Sequence, residues 1–214
     1  MRLFLRMSGD VLITVGVLAL GFAAYLYWGT AVREGTAQRA FAHELRSQWS
    51  GPDQLAALVS RTELALGRPF ALLRIPQFGA SWQFAVVQGT GRPQLALAPG
   101  HVPGTALPGQ LGNFAVAGHR LTAGNPFWHL PSLRVGSMID VETINGVYEY
   151  RVTQAPRWVP PGDNSVIAAV PYHPGDPARQ KMITLITCDP PLTGTYRVVV
   201  TGVLVRTLPR QPGS

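Results

Sequence analysis

The 214-residue chain is poor in cysteine, lysine and acidic residues, and each shortage excludes something. Its one cysteine, Cys188, cannot form an intramolecular disulfide, so no disulfide framework holds this protein together. Only 11 Asp and Glu face 18 Lys and Arg, and 17 of those 18 are Arg, which leaves a formal charge of +7. The basic residues are scattered and no basic run is interleaved with aromatics, which argues against a nucleic-acid surface. An Arg-rich solvated surface, favoured near anionic lipid or wall polymer, accounts for the charge. No Gly-rich loop follows a strand and opens a helix, so no nucleotide cofactor is expected. One cysteine with dispersed histidines gives no zinc-ligand spacing, so no metal is expected either. The chain does have 46% apolar residues, 23 Gly and 19 Pro: enough for one core, with many turns.

The amino-terminal end is unlike the rest. Arg2 and Arg6 precede an uncharged apolar run from Val11 to Trp28. Eighteen helical residues span about 27 Å, close to the roughly 30 Å of a bilayer's hydrocarbon. Tyr25, Tyr27 and Trp28 stand at the far end, where an interfacial aromatic belt belongs. The run is long for the apolar region of a cleaved signal peptide and ends in bulky aromatics, so a retained anchor is the expectation, with the following domain outside the cell. Export sharpens the interest in Cys188, because a lone thiol in an oxidising compartment is either buried and inert or used.

Residues 1–28 then read as basic tip and transmembrane anchor, 29–69 as an extracellular stalk, 70–208 as the folded domain and 209–214 as a tail. Within the stalk, Leu55, Leu58, Val59 and Leu66 predict a short amphipathic helix over Pro52 to Leu66. From Phe70 the pattern turns extended: short apolar runs punctuated by Gly and Pro, an all-β pattern. Strands are expected at Ala71–Ile75, Gln83–Gln88, Asn113–Gly118, Met138–Thr143, Val147–Gln154, Met182–Thr187 and Tyr196–Val205. Asn145-Gly146 predicts a tight hairpin between the fourth and fifth, with Tyr148, Tyr150 and Val152 on one face. Strands of this size and spacing close into a sandwich or a barrel.

Cys188 ends the apolar β-branched segment 182–188, and Asp189-Pro190-Pro191 stops it. If the return hairpin is symmetric about Leu192–Thr193, Cys188 faces Arg197, with Cβ atoms ~5 Å apart; a slip of one residue would move Arg197 to the other face. A guanidinium there favours the thiolate and can donate to an oxyanion formed when a thiolate attacks a carbonyl. The leaving amine needs a proton, and histidine is the usual source. Of five histidines, His43 lies in the stalk, and His129 and His173 sit in loops beside prolines. His119 ends a strand behind the small residues Ala117 and Gly118 and ranks first; His101, in a turn-rich loop, ranks second.

Thr184-Leu-Ile-Thr-Cys188, with Arg197 after it, resembles the Thr-Leu-Xaa-Thr-Cys motif of the sortases, and Asn113-Phe-Ala-Val-Ala-Gly-His-Arg120 is similar to their histidine segment. With Gly100-His-Val-Pro-Gly-Thr-Ala-Leu-Pro-Gly109, the resemblance covers about Phe70 to Leu208 and looks closest to class E of Gram-positive actinobacteria. It implies an all-β, eight-stranded barrel with short helices and a cysteine transpeptidase that cleaves Leu-Pro-Xaa-Thr-Gly-like or Leu-Ala-Xaa-Thr-Gly-like sorting signals between Thr and Gly. On that pattern Cys188 is the nucleophile, His119 the general acid and base, and Arg197 the substrate and oxyanion ligand. Thr187 is a further donor, and a peptidoglycan-precursor amine is the acceptor. Val102 stands where class E commonly has a Tyr associated with preference for Ala, so this substrate-binding position departs from the pattern and the Leu-Ala preference is open. No carboxylate cluster suggests a class A calcium site, and the stalk lacks the Asp-Pro-aromatic lid of pilin-polymerising class C members. Two other readings remain beside this one: a secreted cysteine hydrolase using water as acceptor, and a wall-binding β-domain with an inert Cys188.

Overall fold

The computed structural model describes residues 2–25, 30–50 and 64–210. Nine strands form the body: β1 (Pro69–Arg74), β2 (Gln83–Gln88), β3 (Gly100–His101), β4 (Gly112–Ala117), β5 (Met138–Thr143), β6 (Gly146–Val152), β7 (Arg157–Val159), β8 (Lys181–Asp189) and β9 (Tyr196–Pro209). Eight of them run in the order β6-β5-β1-β2-β3-β4-β8-β9, and β9 pairs back onto β6, closing a barrel. Most neighbours are antiparallel; β2–β3 and β4–β8 are parallel. β7 is the ninth strand and lies outside the ring on the first half of β9. Between strands there are only short helices, such as the single turn Arg92–Leu95 and the 3-10 turns at Pro76–Phe78, Leu130–Ser132 and Asn164–Ile167.

All seven expected strands are present, Gln83–Gln88 and Met138–Thr143 with the expected bounds and the other five with shifted ends. β9 runs to Pro209 because its second half, from Gly202 to Pro209, is the partner that β6 needs to close the ring. The expected tail therefore starts later, and Arg210 is itself tied down by Glu142 (2.7 Å) and by Trp49, whose ring centroid lies 4.5 Å away. The hairpin between β5 and β6 forms, but one residue earlier than expected: Ile144 and Asn145 make the turn, and Gly146 already pairs with Thr143, in a register that runs from Met138↔Arg151 to Thr143↔Gly146. β3 and β7 escaped the sequence because two- and three-residue strands carry no periodicity.

Pleat parity fills the barrel. Ile139 and Val141, Phe114 and Val116, Ile183 and Leu185, Tyr150 and Val200 point inward and are buried together with Phe127 and Leu130. The Tyr150 hydroxyl accepts a hydrogen bond from the Gly109 N–H (2.8 Å), so this buried polar atom is satisfied.

The helix α1 spans Arg2–Ala24 and α2 spans Thr30–Ser50. Among the described residues no helix is long and apolar enough to cross a membrane; the expected anchor over 11–28 is not found among them, and residues 26–28 lie outside them. The amphipathic helix expected at 52–66 falls largely on residues 51–63, also outside the described residues. Residues 30–50, expected as part of the extracellular stalk, pack on the barrel. Leu45 and Trp49 are buried with Leu72 and Ala85. β2 meets β3 only at Val87 and Gln88, which leaves the Ala85 backbone without a strand partner on that side. The Gln38 amide takes that place, accepting from the Ala85 N–H (2.6 Å) and donating to the Leu97 carbonyl (3.1 Å).

Candidate active site

β8 supplies Cys188 and β9 supplies Arg197, and the two are direct cross-strand partners, Cys188↔Arg197, in the antiparallel ladder. The symmetric hairpin is thus the observed one. β4 runs parallel to β8 from Gly112↔Lys181 to Ala117↔Ile186. Continued two residues at the same offset, that register brings His119 level with Cys188. The Gly118 N–H still donates to the Ile186 carbonyl (3.0 Å), so the pairing reaches the residue before His119.

Parity puts the three side chains on one surface. Ile183, Leu185 and Thr187 face the core, so Cys188 faces outward; Phe114 and Val116 face inward, so His119 faces outward; Val198 and Val200 are buried, and Arg197 alternates with them. The site is therefore a patch on the outer wall across β4, β8 and β9. One flank is built by the end of β7 and the segment after it, where Val159, Val166, Ile167 and Tyr172 pack on Ile186 and Val199.

Cys188 is half-buried and unpaired. A Cβ built on Gly194, which has φ +60°, would lie 3.7 Å from the Cys188 Sγ and 3.4 Å from the Arg197 Nη1, so thiol and guanidinium flank the same small space. The Nη1 of Arg197 donates to the carbonyls of Gly194 (2.7 Å) and Tyr196 (3.1 Å). No other hydrogen bond of this guanidinium occurs among the described residues, which leaves its other donors for a ligand. His119 is half-buried too, and burial without a charged partner lowers its pKa below the ordinary 6.5, favouring neutral imidazole.

The other expected residues serve different ends. Thr187 is buried and its hydroxyl donates to the Gly118 carbonyl (2.8 Å). Its one proton is committed there, so the expected further donor acts in this structure as a strut between β8 and the root of His119. Val102 is half-buried in the turn after β3, its N–H donating to the Ala115 carbonyl on β4 (2.9 Å). His101 is a buried structural residue: Nδ1 meets Gln88 Oε1 (2.6 Å), and Nε2 meets the Thr105 hydroxyl (2.9 Å) and the Ala106 carbonyl (3.1 Å). Desolvation lowers its pKa, and its ring lies 5.3 Å from Phe114.

Three neighbours of the site were not legible as such. Arg120 follows His119 and pairs with Asp189, which follows Cys188. Trp158 on β7 donates its indole N–H to the same carboxylate (2.6 Å). The only sequence signal of Arg120 and Asp189 is adjacency to His119 and Cys188, and Trp158 has none. Among the described residues no three of His, Cys, Asp and Glu gather as a metal site.

A family model for the sortase domain matches residues 73–205, the whole barrel apart from its first strand's start and its last strand's end. The chain belongs to the sortase family. It is 33% identical over 213 residues to sortase SrtE1 of Streptomyces coelicolor, covering 97% of this chain and 59% of that protein, so this sortase spans about three-fifths of that relative's length. It is 28% identical to sortase SrtE2 of the same organism, over 93% of this chain and 81% of the relative. Among solved structures it resembles sortase E from Streptomyces avermitilis (37% identity, TM-score 0.63, 70% of this chain and 96% of that one). It also resembles the SrtF sortase from Corynebacterium diphtheriae (33%, TM-score 0.67, 72% and 93%). These relatives place the sortase with class E.

Proposed function

We propose that this sortase is a membrane-anchored cysteine transpeptidase that cleaves a Leu-Pro-Xaa-Thr-Gly-like or Leu-Ala-Xaa-Thr-Gly-like signal between Thr and Gly and joins the new carboxyl end to a cell-wall precursor amine. The single observation that carries the reading is the outward alignment of His119, Cys188 and Arg197 on three neighbouring strands.

In the first half-reaction the Cys188 thiolate attacks the Thr carbonyl carbon, and the carbonyl π electrons move to its oxygen. The free donors of Arg197 stabilise that oxyanion, which forms beside them and not in the ground state. Collapse breaks the Thr–Gly C–N bond, leaving a thioester, and His119 gives its proton to the departing amine. In the second half, neutral His119 takes a proton from the incoming amine as its nitrogen attacks the thioester. The thiolate leaves and an amide remains. Burial of His119 favours the neutral form needed in the second half and makes the proton easy to release in the first.

Anchoring is supported by α1, whose side chains at Val11, Leu12, Ile13, Val15, Val17, Leu18, Leu20 and Phe22 are all exposed, an arrangement that water does not favour. The catalytic domain would then act outside the cell membrane. The test is a peptide panel with Pro or Ala at the second signal position, offered with and without a peptide amine, to wild type and Val102→Tyr. Joined product from either peptide is expected. Hydrolysed peptide alone at saturating amine sinks the transpeptidase reading in favour of a hydrolase, and no cleavage together with a thiol inert to alkylation leaves a binding domain. A change in Pro-to-Ala preference in Val102→Tyr would assign specificity to that turn.

A further inference from the structure

The residue after the proposed nucleophile is a carboxylate, which an active thiolate should not tolerate beside it. Asp189 carries a full negative charge one residue from Cys188, and like charge opposes thiolate formation. The structure sets that charge aside. Asp189 Oδ1 pairs with Arg120 Nη1, and Oδ2 accepts from the Trp158 indole N–H (2.6 Å). Both ionic side chains are largely withdrawn from water, 17% exposed for Arg120 and 24% for Asp189. The Arg120 guanidinium also lies 5.8 Å from the Trp128 ring centroid, and its Nε is buried with no partner. An arginine held at such desolvation cost is held for its partner.

The three members sit at telling places. Arg120 follows His119 on the chain leaving β4. Asp189 is the last residue of β8 and follows Cys188. Trp158 pairs with Val198, and the next residue, Val159, pairs with Arg197. One carboxylate thus ties together the strand ends that carry all three proposed catalytic groups.

We infer that Arg120, Asp189 and Trp158 form a positioning clamp that fixes the ends of β4, β8 and β9 relative to one another and neutralises the carboxylate beside Cys188. The clamp members are positioning residues; none needs to touch substrate. The charged and titratable groups on the elements around Cys188 are then His119 just beyond β4, Arg197 and Tyr196 on β9, Arg157 on β7 with Tyr172 beneath its guanidinium, and the Asp189–Arg120 pair, whose charges cancel. The inference rests on Cys188 being the reactive thiol and deepens that reading.

The test is the pH dependence of Cys188 alkylation by iodoacetamide in the full chain, run beside peptide turnover. Removing Arg120 (Arg120→Ala) exposes the Asp189 charge, so the alkylation midpoint should rise by about one pH unit, the size expected for one unit charge ~10 Å away at an effective dielectric near 20. Removing the carboxylate (Asp189→Asn) leaves Arg120 unopposed and keeps an acceptor for Trp158, so the midpoint should fall by a similar amount. Arg120→Lys should lie near wild type in midpoint, and the double variant should return to it. Both single variants should lose about tenfold in kcat with KM changed less than threefold. General loosening of the site cannot move two isolated variants in opposite directions. Midpoints that do not move, or that move the same way in both, overturn the clamp. If Arg120→Ala does not fold, Asp189→Asn decides alone by the sign of its shift. Opposite shifts in an enzyme that joins no peptide would keep the clamp and discard the sorting reaction.

Discussion

Glu34 offers the sharpest quantitative prediction. It lies on α2, 4% exposed, with Oε1 buried and unpartnered. Its carboxylate presses on the loop after His119, where a Cβ on Gly124 would collide with Oε2, and Gly124 is in the left-handed region at φ +72°. Desolvation raises its pKa from 4.5 to about 7. A raised carboxyl pKa means that stability is fully present below the unfolded value near 4.5 and is lost as pH rises through about 7, because the unfolded chain ionises first. The full difference of about 2.5 units corresponds to about 3 kcal/mol at ~1.36 kcal/mol per unit. Some of that relaxes if the start of α2 lifts and hydrates the carboxylate, so about 2 kcal/mol is the expected cost at pH 8. Glu34→Gln keeps the shape and cannot ionise. It should lie within about 1 kcal/mol of wild type at pH 5 and melt about 4–8 °C higher at pH 8, taking ~2–4 °C per kcal/mol for a domain of this size. Thermal unfolding by circular dichroism at pH 5, 6, 7 and 8 reads this directly. A wild-type-to-variant difference that stays constant across that range would refute the reasoning, since it would show that Glu34 titrates alike in folded and unfolded chains.

Other expectations follow from the site and the core. Arg197→Lys should lose at least about a hundredfold in kcat/KM, because an ammonium cannot hold the hairpin carbonyls and present free donors together; near-normal turnover would end the oxyanion role. The pH profile of kcat/KM should be bell-shaped. Burial places the His119 limb below the ordinary 6.5, so the acid limb should lie on the acid side of that value, and an acid limb above 7 would show that His119 is not the group responsible. Tyr150→Phe removes the acceptor of the Gly109 N–H inside the barrel and should destabilise by about 1–3 kcal/mol in urea unfolding; an unchanged midpoint would mean that water replaces the hydroxyl.

Much of the fold was readable because it is local. The runs at Met138–Thr143 and Gly146–Val152 alternate as a half-buried hairpin must, while the exact turn, on Ile144 and Asn145 and not on Asn145-Gly146, was set by the ladder. The Cys188↔Arg197 pair was readable for the same reason, since a short hairpin centred on Leu192–Thr193 leaves one symmetric register. β3 and β7 were too short to leave a pattern. The packing of α2 was hidden because it depends on Gln38 finding the unpaired Ala85 backbone, 47 residues away along the chain.

By itself, then, the sequence determined an all-β domain, a lone thiol at a strand end and the arginine across from it, because hairpin geometry is set by neighbours in the chain. Choosing His119 over His101 from residues alone remained a ranking. Tertiary structure separates the two: His101 is buried with every ring nitrogen engaged, while the parallel β4–β8 register, continued two residues, carries His119 level with Cys188. The same pairing turned Thr187 from donor to strut and brought Arg120 to Asp189. Parallel neighbours lie far apart in sequence, with 69 residues from Gly112 to Lys181, so no local pattern can announce which of them will meet.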